Sequence, residues 1–169
     1  MKSIILDTGP LVAYLRESDR YHKWARQQFR QYRSSFLTFE PVLTEAAFLL
    51  SRYGGTENVE PLLMLVTADV LRVTLRLADE APRLQELMRR YRNIPMSLAD
   101  ACLVRMAELN PDSTVLTLDS DFLIYRKHGY PLKPGHLSRV RPTHQCPGAP
   151  LDRQWCVGRT LQDCPALSW

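Results

Sequence analysis

The chain's 169 residues, 45% of them hydrophobic, are enough to build the core of one globular domain. The formal charge of +4 is compatible with an anionic partner but does not require one, and no run of 18 apolar residues predicts a membrane span. Because the N-terminus leads directly into a strand-like run, we expect no signal peptide, a cytoplasmic location and cysteines that are mostly thiols.

Strand-like and helix-like runs alternate through residues 1–141, which favours an α/β fold with a short, mostly parallel sheet. Strands are predicted at residues 4–6, 36–39, 70–75 and 114–118, with a short edge strand at 130–132. Helices are predicted after a Thr8 cap, at 21–32, 41–53 and 58–68, from an Asp79 cap to about 92, and from a Ser97 cap to about 110.

The composition changes after Arg141. Residues 142–169 hold three of the four cysteines, four of the twelve prolines and two of the three tryptophans. Their periodicity fits neither a helix nor a strand, so we expect domain 1–141 to be followed by a poorly ordered tail, 142–169. The tail could instead hold zinc through His144, Cys146, Cys156 and Cys164, but it lacks the paired cysteine spacing typical of such sites.

Four acidic residues stand where predicted elements begin or end. Asp7 and Asp119 each follow a strand directly, whereas Glu45 and Asp100 lie in the early turns of helices. Because ligand sites in parallel α/β sheets form at the carboxyl ends of strands, we expect one shared acidic pocket. The carboxylates in such a pocket repel one another unless a divalent cation lies between them.

Each acid also has a purely structural interpretation. Asp7 could be a turn residue, Asp100 could complete a capping box with Ser97, and Asp119 with Asp121 could cap a short helical turn. Glu45 has apolar neighbours on nearly every side of its helix, which predicts that it is buried and needs a partner elsewhere. The polar neighbours of Asp119 include Thr117 and Asp121, and oxygen ligands of this kind suit Mg²⁺ or Mn²⁺ rather than zinc.

The acidic motifs resemble those of PIN domains, and most closely those of VapC-type toxins of bacterial toxin–antitoxin pairs. The four matching runs, in chain order, are Ile4-Ile5-Leu6-Asp7-Thr8-Gly9-Pro10-Leu11, Leu43-Thr44-Glu45-Ala46, Met96-Ser97-Leu98-Ala99-Asp100-Ala101 and Leu116-Thr117-Leu118-Asp119-Ser120-Asp121-Phe122. The resemblance implies a three-layer α/β/α fold and a Mg²⁺- or Mn²⁺-dependent endoribonuclease. It also implies an RNA substrate and a small antitoxin protein as partners.

The resemblance also implies roles for the residues at matching positions of this chain. Asp7, Glu45, Asp100 and Asp119 would be the metal-binding and catalytic residues, with Asp121 as a further ligand and Thr117 in support. The apolar helices at 41–53 and 58–68 could pair across a homodimer, as in the resembled family, or fill the core.

Two other functions stay open at this level. A phosphatase or phosphotransferase could use Asp7 as its nucleophile, although that class usually has a second Asp two positions later, where this chain has Gly9. A catalytically silent binding module on the same fold is the other alternative. A further ambiguity concerns Tyr21, Trp24 and Tyr32 on a basic helix, which could stack RNA bases but are more typical of a helix that packs on the core.

Overall fold

Four parallel strands form the central sheet of the computed structural model, which describes residues 3–32, 35–93, 96–119, 122, 125–127 and 130–131. The strands are β1 (Ile4–Leu6), β2 (Phe36–Thr38), β3 (Leu71–Val73) and β4 (Thr114–Leu116), in the order β3-β2-β1-β4. Ile4 lies opposite Phe36 on one side and Thr114 on the other. The prediction of a short, mostly parallel sheet is therefore confirmed.

Helices cover the sheet in two layers. They are α1 (Thr8–Leu15), α2 (His22–Gln31), α3 (Glu40–Gly54), α4 (Glu60–Thr67), α5 (Leu77–Arg90) and α6 (Leu98–Leu109), with a 3₁₀ turn at Thr56–Val59 before α4. Helix α1 packs against α2 and α3, whereas α6 packs against α5, β1 and β4. This arrangement confirms the three-layer α/β/α fold.

Local chemistry explains where several helices begin and end. Ser97 accepts a hydrogen bond from the Asp100 N–H while Asp100 accepts one from the Ser97 N–H, so the predicted capping box starts α6. Helix α3 ends at Gly55, whose φ of 88° is a conformation that glycine adopts without strain. Asp79 lies in the first turn of α5, after its start, so the predicted Asp79 cap was wrong.

Burial is most complete in β1, β4 and α6. All three residues of β1 and all three of β4 are buried, as expected for parallel strands covered on both faces. Helix α6 is buried almost all round and includes the charged residue Glu108, whose side chain is fully inaccessible. Glu108 binds Arg83 of α5 and Arg105 of its own helix, which satisfies its charge and links the two helices.

The C-terminal part of the described chain differs from the prediction. Tyr130–Pro131 is a strand, but it pairs antiparallel with Arg126–Lys127 in a separate two-stranded sheet and is not an edge of the main sheet. Leu132 and the predicted tail, 142–169, lie outside the described residues, as does the suggested zinc site. No helix in the described part of the chain is long and apolar enough to cross a membrane.

Candidate active site

Asp7 is anchored at the carboxyl end of β1 by hydrogen bonds to both of its carboxylate oxygens. Its Oδ1 accepts from the Thr8 N–H at 2.7 Å, which makes Asp7 the N-cap of α1 in place of the predicted Thr8. Its Oδ2 accepts from the Thr117 hydroxyl at 2.6 Å. These two bonds fix the carboxylate at the top of the sheet, where β1 and β4 end side by side.

Thr117 connects Asp7 to Asp119. Its side chain is fully buried directly after β4, and its Oγ1 also accepts a hydrogen bond from the Asp119 N–H at 2.9 Å. Asp119 itself is exposed to solvent. One hydroxyl therefore binds both Asp7, through its side chain, and Asp119, through its backbone.

Glu45 reaches the same region through Thr8. The Thr8 hydroxyl, at the first position of α1, donates to Glu45 Oε2 at 2.8 Å. Thr8 is a contact residue that the sequence analysis missed, since it was assigned only a capping role. Its position directly after Asp7 was the one available signal.

The prediction that Glu45 is buried was wrong, because Glu45 is exposed. Only Val42, Ala46 and Leu50 of α3 are buried, a single stripe at four-residue spacing. Phe48, three residues after Glu45, is 57% exposed. The apolar residues around Glu45 therefore lie partly at the surface, and its carboxylate stays in contact with water.

Asp100 is held by the start of α6 and by an aromatic residue. Its Oδ2 accepts from the Ser97 N–H at 2.9 Å and from the Tyr125 hydroxyl at 3.4 Å. Tyr125 is fully buried and makes edge-on contacts with Tyr91 and Phe122. The sequence analysis did not identify Tyr125, and no feature of its spacing indicated this contact.

Electrostatics links the four acids into one group. Burial raises the pKa of Asp7 to about 6, the bonds from Thr117 and Thr8 oppose that rise, and the charges of Asp100 and Glu45 add to it. Burial also raises the pKa of Asp100, with a further contribution from Asp119. The charges of Glu45 and Asp100 therefore act on Asp7, and the charge of Asp119 acts on Asp100, as a shared acidic pocket requires.

The donor set of this pocket fits a hard divalent cation. The four acids and Thr117 offer only oxygen atoms. A cation among them would offset both the burial of Asp7, the main cause of its raised pKa, and the smaller repulsion from Asp100 and Glu45. Among the described residues, no three His, Cys, Asp or Glu side chains are drawn together tightly enough to hold an ion as they stand. The side chains would therefore have to close further around a cation. Asp121, the fifth predicted ligand, lies outside the described residues.

A separate cavity of about 360 Å³ lies beside the amino end of β2 and is lined by none of the four acids. Tyr14, Phe29 and Phe36 stack in series along it, with ring centroids 3.9 and 4.3 Å apart. Trp24, Phe29 and Tyr32 are partly buried against the core. These contacts support the interpretation of Trp24 and Tyr32 as packing residues.

Comparison with known proteins shows which family the chain belongs to. The chain is similar to the crystal structure of VapC20 from Mycobacterium tuberculosis, a toxin that cleaves the sarcin-ricin loop, with 23% identity and a TM-score of 0.67. The match covers 74% of this chain and 98% of that one, and at this identity it shows the fold alone. The comparison with curated proteins gives no match. The model of the PIN domain matches residues 4–127, a stretch that contains all four acids, and the chain therefore belongs to the PIN domain family.

Proposed function

We propose that this PIN domain is a Mg²⁺- or Mn²⁺-dependent endoribonuclease and the toxin of a toxin–antitoxin pair. The observation that carries the proposal is the coupling of Asp7, Glu45, Asp100 and Asp119 at the carboxyl edge of the sheet, through Thr8, Thr117 and mutual repulsion. The fold shared with VapC20, a toxin that cleaves the sarcin-ricin loop, supports our proposal of RNA as the substrate class.

The chain's own residues would position the reaction. Asp7, Glu45, Asp100, Asp119 and, beyond the described residues, Asp121 would hold the cation, which would supply the positive charge needed for in-line displacement at a phosphodiester. Thr117 and Thr8 keep Asp7 and Glu45 in place. Glu45 Oε2 is engaged by Thr8, so Oε1 is the atom that would accept a proton from the attacking water.

Basic side chains along α1 and α3 would hold the RNA backbone. Arg16, directly after α1, lies over the Tyr53 ring at 3.7 Å, and Arg52 lies over the Phe48 ring at 5.7 Å. These contacts hold the Arg16 and Arg52 guanidinium groups beside side chains of α3, the helix that carries Glu45. Cations placed there would attract phosphates and make binding salt-dependent.

An RNA cleavage assay with the purified protein tests the nuclease activity. We expect cleavage with Mg²⁺ or Mn²⁺, none with EDTA, and recovery when the metal is restored. A covalent aspartyl-phosphate trapped on Asp7 would instead establish the phosphotransferase alternative. Metal binding without cleavage of any RNA tested would favour the silent binding module.

The toxin role adds two partners. An uninhibited ribonuclease in the cytoplasm would harm its host, so we propose a small antitoxin that sends an Arg or Lys among the carboxylates and replaces the charge of the metal. The second proposed partner is another copy of this chain in a homodimer. Leu63 and Met64 of α4 offer apolar surface for it, since they are 59% and 63% exposed. Co-purification with the product of an adjacent gene, weakened by added Mg²⁺, tests the antitoxin. Normal growth on overexpression would contradict the toxin role while leaving a nuclease intact.

A further inference from the structure

An open groove of about 810 Å³ lies beside the acidic pocket, between the start of α3 and the start of α5. These helices follow β2 and β3, so the groove lies at the same carboxyl edge of the sheet as the acids. Glu45 lines the groove and also receives the Thr8 hydrogen bond at the acidic pocket. Any molecule bound in the groove therefore adjoins the proposed reaction site.

The walls of the groove are mainly apolar. Phe48 and Leu77 are 57% and 40% exposed, and Pro41 and Ala78 complete the apolar lining. The Phe48 ring has one face near the Arg52 guanidinium, as the 5.7 Å distance shows. An exposed aromatic ring in a concave surface next to a reactive site is typical of a ligand contact.

Charged and polar groups line the rest of the groove. Arg76 is 80% exposed and is paired only loosely with Asp79, at 3.7 Å. Glu40 presents a carboxylate, and Thr44 directs its hydroxyl proton to the Glu40 carbonyl at 3.0 Å. The groove thus offers a cation for a phosphate, a carboxylate that accepts hydrogen bonds, and an apolar floor.

We propose that this groove binds one unstacked nucleobase of the RNA substrate, next to the phosphodiester that is cut. The base would stack on Phe48, and its exocyclic amino group or ring N–H would donate a hydrogen bond to the Glu40 carboxylate. Arg76 would bind the neighbouring phosphate. This inference rests on the proposed nuclease function and adds a specificity-determining subsite to it. Phe48, Glu40 and Arg76 are its binding residues.

The chemistry of the lining favours a nucleobase over an apolar helix of a second copy. A helix covering the groove would bury the Glu40 and Glu45 carboxylates against apolar atoms, which is costly without donors. Cytosine, adenine and guanine each present N–H donors at their edges together with a flat apolar face.

The test uses one RNA oligonucleotide that the protein cuts, together with copies that carry an abasic ribonucleotide at successive positions. We expect the wild type to lose about tenfold in kcat/KM when one particular position near the cut is abasic. Phe48→Ala should lower cleavage of the intact RNA by a similar factor and should no longer respond to that abasic site. Phe48→Trp should restore the response. Leu109→Ala, at an exposed apolar position at the end of α6 and outside the groove, should respond to the abasic site as the wild type does.

A binding measurement without metal separates this inference from the nuclease proposal. RNA with 2-aminopurine at the sensitive position, or at each position if nothing is cut, should lose fluorescence on binding wild type but not Phe48→Ala. Quenching without cleavage would uphold the subsite and contradict the nuclease. Equal responses of wild type and Phe48→Ala to every abasic site and every 2-aminopurine probe would overturn the subsite. Loss of a dimer in Phe48→Ala with unchanged base dependence would overturn it in favour of a second copy.

Discussion

The Thr117 hydroxyl donates a 2.6 Å hydrogen bond to Asp7 Oδ2, although the two residues lie 110 positions apart in the chain. The Thr117 hydroxyl oxygen also accepts a hydrogen bond from the Asp119 N–H. Because β1 and β4 are neighbours in register, the ends of both strands meet at this hydroxyl. A residue that contributes no charge therefore ties together two of the four acids.

Removing this hydroxyl should disturb the site more than the fold. Thr117→Val keeps the shape of the side chain but leaves Asp7 Oδ2 and the Asp119 N–H without their partner. We expect RNA cleavage to fall on the order of 10- to 100-fold, because small displacements of reacting groups are costly. Thr117→Ser restores the hydroxyl and should keep most of the activity. Equal activity of the Val and Ser variants would show that the hydroxyl does not position the acids.

The raised pKa of Asp7 predicts an unusual dependence of stability on pH. A carboxyl group with a higher pKa in the folded state binds its proton more tightly when folded, so the metal-free protein gains stability as pH falls from above about 6 towards 3.8. The difference of about 2.2 pKa units corresponds to at most about 3 kcal/mol. Asp7→Asn removes the charge and should be more stable than wild type at pH 7.5, with the difference vanishing near pH 4.

Urea unfolding in EDTA at several pH values measures this effect. Asp112→Asn, at an exposed position outside the site, is the matched control and should change stability by less than about 0.5 kcal/mol. A difference between Asp7→Asn and wild type that stays constant from pH 4 to 7.5 would mean that repulsion and burial do not act on Asp7.

The ion pairs between α5 and α6 should contribute unequally to stability. Glu108 is fully inaccessible, with Arg83 at 3.3 Å and Arg105 at 3.1 Å, whereas Glu86 is 54% exposed and binds Arg83 and Arg90 at the surface. Glu108→Gln should lower the free energy of unfolding by about 3 kcal/mol, because two arginines lose a buried counter-charge. Glu86→Gln should cost less than about 1 kcal/mol. Thermal unfolding of both variants tests the ranking, and equal losses would contradict it.

The composition of residues 142–169 leads to a prediction about truncation. The PIN domain match ends at residue 127, and the tail departs from the rest of the chain in its cysteine, proline and tryptophan content. Deleting 142–169 should leave the melting temperature and RNA cleavage nearly unchanged, and the tail's amides should exchange rapidly. A large fall in melting temperature would show that Trp155 or Trp169 packs on the domain.

Most of the fold was predictable because the strands and helices differ in period, and because acids after apolar strands stand out in the sequence. The exposure of Glu45 could not be predicted, because apolar residues surround it in the sequence. Only the packing of α3 shows which of those residues form the buried stripe. Side-chain partners were equally hidden. Thr8 with Glu45, and Tyr125 with Asp100, are 37 and 25 positions apart, and the choice of partner follows from how the helices lie on the sheet.

The central claim is that four acids form one cation site, and Mn²⁺ binding by calorimetry tests it most directly. Asp7→Asn, Glu45→Gln, Asp100→Asn and Asp119→Asn should each weaken Mn²⁺ binding by about tenfold or more, because each removes a ligand or a charge from the same pocket. Asp112→Asn should bind as the wild type does. Mn²⁺ affinity that is unchanged in the four site variants, or lowered equally in the Asp112 control, would contradict a shared cation site.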